Sequence, residues 1–287
     1  MSDIIVTSLN AMTLISILML VSMGLAIIYG LMNVINLAHG EFVTIGAYTL
    51  AMVQAWGGNF WLALAIAPFV GYAFGSLIEV VLIRHLYQRP IATILATWGL
   101  GLVLQQLIQL AFGAAPLPAS SPITGALTLL GTSFPAYRLF LIGMTIAIVA
   151  GCAAVFRFTN FGLDVRAVIQ DGAMAESLGI DTARVFRRAF GAGAALAALA
   201  GVLIAPLTAV VAQMGVNYLA RSFFVVTIGG PGTVIGVAAG SGIVGGLETL
   251  FSHEMPATVA QALVLALAAA LMLFRPNGLL GSAAGSR

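Results

Sequence analysis

Lysine is absent from this 287-residue chain: its 11 basic side chains are all arginine, set against 9 acidic ones. Charged residues make up only 7% of the composition. A soluble domain carries about 25%, because a compact chain of this length has a large wetted surface to cover. With 61% hydrophobic residues and a mean hydropathy of +1.11, a soluble enzyme, a disordered tail and a nucleic-acid binder are excluded. The medium is lipid. Cysteine is nearly absent as well. Cys152 stands alone in the apolar run 139–156, forms no internal disulfide, and reads as a small buried hydrophobe. The net charge of +2, with a pI near 9.0, rests on too few groups to imply a polyanionic partner. A secretory leader is not expected, because the start lacks a basic segment and the first apolar run is too long; that run reads as a retained spanning helix.

Catalytic signatures are missing too. Without lysine there is no phosphate-binding Gly-x-x-x-x-Gly-Lys, and neither Gly-x-Ser-x-Gly nor His-Glu-x-x-His occurs. No enzymatic role is expected. No metal site is expected either, since His85 and His253 lie on other loops than His39. A proton relay needs several intramembrane carboxylates, and only Glu79 and Glu248 fall near spans, close to their ends.

What is present is a series of apolar runs. About 20 apolar residues cross the hydrocarbon as a helix, which gives clear spans near 9–31, 60–82, 91–112, 139–156, 189–211 and 257–274. Two further stretches are apolar but interrupted: 36–56, and 222–250 with Gly229-Gly230-Pro231-Gly232 inside it. The expected fold is an all-α polytopic membrane protein of about eight transmembrane segments. Interrupted or re-entrant helices are expected near 33–56 and 222–250.

Nine of the chain's charges fall between 157 and 188, among them Arg157, Arg166, Arg184, Arg187 and Arg188. By the positive-inside rule this segment is cytoplasmic, as are Arg84, Arg89 and Arg275. The Pro-rich link 113–137 is then outside, and so is the N-terminus. Parity carries this further. If 189–211 leaves the cytoplasm and Arg275 is inside, 222–250 must enter at Phe223 and turn at 229–232. Alternatively it is one Gly-rich packing helix, a reading that Arg221, left outside by this topology, favours. A turn there must be buried in protein or line a polar cavity, because lipid satisfies no backbone group.

Interrupted segments are the best sequence pointer to a translocation path. Asn33, Asn36, His39, Glu41 and Thr44 form the densest polar group near any span. His39 and Glu41 either line or brace the inner end of a path, or sit at the inner interface with Glu41 favouring the positive end of a helix. The charged loop 157–188 holds two short helix-compatible runs, Val165 to Gln170 and Ala173 to Leu178, separated by Gly172. Gly179 suits the left-handed position that ends the second, and Asp181 suits the N-cap of the helix that follows. Met174 and Leu178, four apart, give one small apolar face. A partly apolar, charge-rimmed platform on the inner surface reads as a docking site for a soluble partner.

The run Gly24-Leu-Ala-Ile-Ile-Tyr-Gly-Leu-Met-Asn-Val-Ile-Asn-Leu-Ala-His-Gly-Glu-Phe-Val-Thr-Ile-Gly-Ala-Tyr48 resembles the N-terminal signature of the branched-chain amino acid family of ABC-importer permeases. Arg166-Ala-Val-Ile-Gln-Asp-Gly-Ala-Met-Ala-Glu-Ser-Leu-Gly-Ile180 is similar to that family's cytoplasmic loop, Leu196 to Val202 to the helix after it, and Arg275-Pro-Asn-Gly-Leu-Leu280 to its ending. The likeness runs from about residue 8 to 280. Ala96 to Gln106 and Ala167 to Ala175 lean toward the urea branch. The resemblance implies one permease domain over 1–287, a non-catalytic subunit of the bacterial inner membrane, working with a paralogous permease, two ABC ATPases and a periplasmic binding protein. ATP and magnesium would belong to the ATPases; this chain would hold no cofactor. Arg166, Asp171, Ala173, Met174, Ala175, Glu176, Leu178, Gly179 and Ile180 would form the ATPase-coupling region. Pathway candidates are Asn33, Asn36, His39, Glu41, Thr44, Thr97, Gln105, Gly230, Pro231 and Gly232. The expected cargo is a branched-chain amino acid or a small neutral solute such as urea or a short amide. The alternative is a stand-alone channel or secondary carrier for such a solute.

Overall fold

The computed structural model describes residues 2–33, 35–87, 89–129, 132–230, 232–274 and 278. Pro231 and most of the ending Arg275–Leu280 therefore lie outside the described residues. Among the latter, seven helices are long and apolar enough to cross a membrane, in keeping with the expected all-α polytopic fold. They are α1 (Ser2–Met32), α3 (Phe60–Val81), α4 (Pro90–Phe112), α5 (Ala136–Phe158), α8 (Thr182–Ile204), α10 (Val234–Glu254) and α11 (Ala257–Phe274). Two shorter helices, α2 (His39–Ala55) and α9 (Met214–Gly229), lie inside the bundle, and α6 (Asn160–Gln170) and α7 (Gly172–Ser177) form the charged loop. The Pro-rich link between α4 and α5 carries a small antiparallel hairpin, β1 (Ala126–Leu129) with β2 (Thr132–Pro135). Nothing in its Pro-rich composition marked those strands.

Local chemistry sets most boundaries. Asn33 takes a left-handed φ of 50° just past α1, the position where Asn or Gly stops a helix. Asn59 caps α3 by accepting from the Leu62 amide at 2.8 Å, and Pro90 opens α4 at a first-turn position that needs no N–H donor. Beyond α3 the Tyr87 hydroxyl donates to the buried Glu79 carboxylate, and burial together with that bond raises the phenol above its ordinary pKa. The pair closes the C-terminal end of α3 and gives the Glu79 carboxylate a donor.

The core is organised around α8, whose small residues Gly191, Gly193, Ala194, Ala198 and Gly201 let neighbouring backbones approach closely. Gly193 backs onto Gly24 of α1, while Leu31 near the end of α1 clusters with Val185 and Ala189 near the start of α8. The two helices thus run antiparallel. A second cluster joins α1 to α9, α10 and α11 through Leu18, Val225, Val244 and Val264.

Two positions differ from the sequence reading. The segment after α8 does not enter at Phe223: α9 already begins at Met214, nearly three turns earlier. Arg221, expected in the link ahead of the next segment, lies instead within α9, paired with Glu248 of α10 at 2.9 Å and donating to Gln261 of α11 at 2.7 Å. Tertiary packing supplies it with a carboxylate and an amide that its place in the sequence does not announce. The expected interruption within 229–232 is met by a break: α9 ends at Gly229 and α10 begins at Val234. Gly230 (φ 96°) and Gly232 (φ 78°) take left-handed backbone there, and Thr233 caps α10 through the Gly236 amide.

Candidate functional site

The two connections that break the helical pattern come from opposite ends of the antiparallel pair α1 and α8. After α1, residues 33–38 turn back so that His39 opens α2 alongside Val21, with its Nε2 3.1 Å from the Val21 carbonyl. Val21 lies about 16 Å up the axis from the end of α1. The start of α2 is therefore inside the bundle rather than at the inner interface, and His39 and Glu41 are both buried. Side chains from the segment itself and from α4 satisfy two of its backbone amides. The Asn36 side chain accepts from the Ala38 amide at 3.0 Å, and the Thr97 hydroxyl accepts from the Leu37 amide at 3.1 Å.

After α8, a 3₁₀ turn over Ala205–Leu207 leads to residues 208–213, which bridge to the link after α4 through Val210 and Leu117 before α9 begins. The first turns of α2 and α9 then meet backbone to backbone. A Cβ on Gly215 would overlap the Gly40 carbonyl oxygen, and one on Gly40 would collide with the Gly215 carbonyl. Only glycine permits this approach. The Gly215 amide donates to the Thr44 hydroxyl at 3.1 Å, tying α9 to α2 directly.

Beside this junction, between α2, α4 and α9, lies a cavity of about 510 Å³. Its polar lining is Glu41 from α2, Gln105 from α4, Gln213 and Asn217 from the start of α9; Leu37, Leu102, Val216 and Leu219 supply apolar wall. Gln105 Nε2 donates to Glu41 Oε1 at 2.7 Å. Glu41 stands in the first turn of α2, where the helix dipole favours an anion. Of the expected pathway residues, the structure thus brings Glu41 and Gln105 together in one cavity. Asn36, Thr44 and Thr97 brace its backbone, His39 locks α2 onto α1, and Asn33 caps α1. Gly230 and Gly232 belong elsewhere: they form the turn beside Gly30, at the end of α1 opposite its start. Gln213 and Asn217 were missed by the sequence reading. Each is an ordinary amide at the edge of an apolar run, and only the position of α9 gives it a role.

The charged loop folds much as read. Thr159 and Asp171 cap α6 and α7, Asp171 by accepting from the Met174 amide at 3.0 Å. The break between the two helices falls at Asp171 rather than Gly172, because the cap residue leaves helical geometry and the glycine does not. Gly179 takes φ 88°, the amide of Ile180 closes back on the Ala175 carbonyl at 3.0 Å, and Asp181 caps α8 through the Arg184 amide at 2.9 Å. The Arg166 guanidinium donates to the Phe156 carbonyl, and Glu176 accepts from the Thr182 hydroxyl. Val165, Val168 and Ala175 anchor this platform on Leu31 of α1 and on Val185 and Ala189 of α8. Met174, Leu178 and Ile169 are left exposed with Ala173 on the outer side.

A bundle of apolar helices, two of them starting inside it beside a polar cavity, is the architecture of a membrane transport subunit. The family of the branched-chain amino acid transport system, permease component, matches residues 7–275, and this chain belongs to it. It is similar to the high-affinity branched-chain amino acid transport system permease protein LivH of Salmonella typhimurium, 29% identical over 290 residues covering 95% of this chain and 94% of that one. It is similar also to BraD of Pseudomonas aeruginosa, 26% identical with 95% and 94% covered. With LivM of Salmonella typhimurium, another permease protein of such a system, it shares 25% identity over 95% of this chain and 70% of that one. No solved structure matches significantly. The chain is a multi-pass permease of the inner membrane.

Proposed function

We propose that this chain forms one half of the membrane pathway of an ATP-driven importer for branched-chain amino acids, and that the cavity at Glu41 and Gln105 is part of that pathway. The observation that carries the reading is the junction of α2 and α9, where two helices begin in mid-bundle beside buried polar groups in a chain matched to this permease family. A helix start exposed to lipid would leave backbone donors unsatisfied, so such a junction belongs beside a polar route. Similarity to both LivH and LivM supports pairing with a related second permease. The outward faces of α4, where Ile91, Leu95 and Leu110 are exposed, fit burial by lipid or by that second subunit.

ATPases would dock against α6 and α7, where Met174 and Leu178 offer apolar contact. A push on that platform would reach α1 at Leu31, two residues before the broken connection that leads to Glu41. Alternating access then needs only a bias of a few kcal/mol between two packings. The test is uptake of L-leucine by proteoliposomes holding this chain with its cognate second permease, ATPases and binding protein. ATP-dependent accumulation that vanishes after disruptive changes in 166–180 supports the reading. Equal uptake without the ATPases would make the chain a self-sufficient channel or carrier, and accumulation of urea without leucine would move the cargo to the urea branch.

A further inference from the structure

The polar lining of the α2–α4–α9 cavity is uneven in charge. Gln105, Gln213 and Asn217 are neutral amides, and Glu41 is the one carboxylate among its described lining residues. Glu41 is 2% exposed, so nearly the whole side chain is out of solvent. Oε1 is occupied by Gln105, but Oε2 has no hydrogen-bond partner among the described residues. The Thr44 hydroxyl, one turn along α2, also interacts with the carboxylate, but no donor among the described residues meets hydrogen-bond geometry at Oε2. Nor does a cation among the described residues pair with it: the one arginine of α9, Arg221, is committed to Glu248, and His39 turns its Nε2 to Val21.

A buried carboxylate oxygen without a partner is costly, and within a membrane such groups normally face a partner or a polar route. The cost falls when a cationic donor arrives, because a charge-assisted hydrogen bond is roughly twice as strong as a neutral one. A neutral donor relieves less of it.

We propose that Glu41 receives the protonated amino group of the transported solute, held in orientation by Gln105, so that this cavity selects solutes bearing an ammonium over neutral isosteres. This rests on the amino-acid permease reading above. The ammonium donates to Oε2, which is free, while Oε1 stays with Gln105. Gln213 and Asn217 supply donors for the carboxylate end of a zwitterion, and Leu102 and Val216 give its side chain an apolar wall. The volume of about 510 Å³ falls within the range of about 300–1,000 Å³ for small-molecule sites.

The complete importer in proteoliposomes, with L-leucine as probe, tests this. Glu41→Gln keeps shape and removes charge; Glu41→Asp keeps charge. Co-purification of the ATPases verifies assembly of each variant. We expect Glu41→Gln to lower kcat/KM for uptake at least tenfold and Glu41→Asp to recover most of that loss. Uptake by Glu41→Gln within twofold of wild type overturns the proposal, and so does an equal loss in both variants, which would mark Glu41 as packing alone. A second measurement needs no variant: saturation-transfer NMR on the wild-type permease pair with L-leucine and its 2-hydroxy analogue. A response confined to leucine is expected, and equal responses overturn the proposal. If the wild-type importer moves urea and no amino acid, the permease reading and this proposal fall together. If it moves leucine and Glu41→Gln is indifferent, only this proposal falls.

Discussion

Helices α8 and α4 are each 23 residues long and both apolar enough to span a membrane, yet they are used in opposite ways. In its most apolar stretch α8 is 67% buried and α4 only 22%. The difference lies in side-chain size. Along α8, glycine and alanine recur at three- and four-residue steps, so α1, α2 and α3 approach its backbone directly; along α4, Ile91, Leu95, Trp98 and Leu102 stand exposed. One helix is the hub against which the broken helices are fixed. The other turns Trp98, Leu102 and Gln105 to the cavity and leaves the rest, Ile91, Leu95 and Leu110 among them, to lipid or a second permease. A carboxylate on a fixed helix and an amide on a lightly held one make the Glu41–Gln105 contact a natural place for the pathway to open.

The largest expected effect comes from a different way of holding a peripheral helix. α11 is 17% buried in its apolar stretch, but Arg221 ties it to α9 and α10. Arg221→Met should destabilise by about 3–5 kcal/mol, because Glu248 is left buried without a counter-charge. Replacing both, Arg221→Met with Glu248→Leu, should recover most of this, as read by thermal unfolding in detergent. If the single and double variants melt alike, charge pairing is not what holds α11. Next, Gly46→Leu would drive a side chain into the Ala198 backbone, and should cost at least the upper part of the about 1–3 kcal/mol range of core overpacking.

Thr97→Val tests the hydrogen bond by which α4 holds Leu37 in segment 33–38. Losing the acceptor for the Leu37 amide should cost about 1–3 kcal/mol, with slower leucine uptake as the second readout. Smallest of all is Gly99→Leu on α4, where an added Cβ meets nothing within 4 Å. Its melting temperature should match wild type, and a large drop there would erase the contrast between hub and periphery.

Sequence reasoning found the spans, the two interruptions, and in the charged loop the helix end at Gly179 and the cap at Asp181, because each depends on local chemistry. Asp181 and Gly179 act through their own backbones and immediate neighbours, whereas Asn33, expected in the pathway, stops α1. Residues whose meaning depends on distant contacts were harder. Arg221 was left outside because the Glu248 that pairs with it lies 27 positions on; Glu41 stayed open between pathway and interface because a helix start does not announce its depth. Gln213 and Asn217 carried no signal at all. Thr97 and Gln105 came through family likeness, and the structure gave them their contacts.

Asn217 provides the most direct measurement of the central claim, that the α2–α4–α9 cavity is part of a water-accessible solute route. With Cys152 replaced by alanine, Asn217→Cys and Leu95→Cys would each be exposed to a charged, water-soluble maleimide in the assembled importer, without ATP and in the ATP-bound trapped state. The account predicts that Asn217→Cys is labelled, that its rate changes between the two states and falls with L-leucine, and that Leu95→Cys on the outward face of α4 stays slow throughout. Labelling of Asn217→Cys no faster than Leu95→Cys in both states would contradict it.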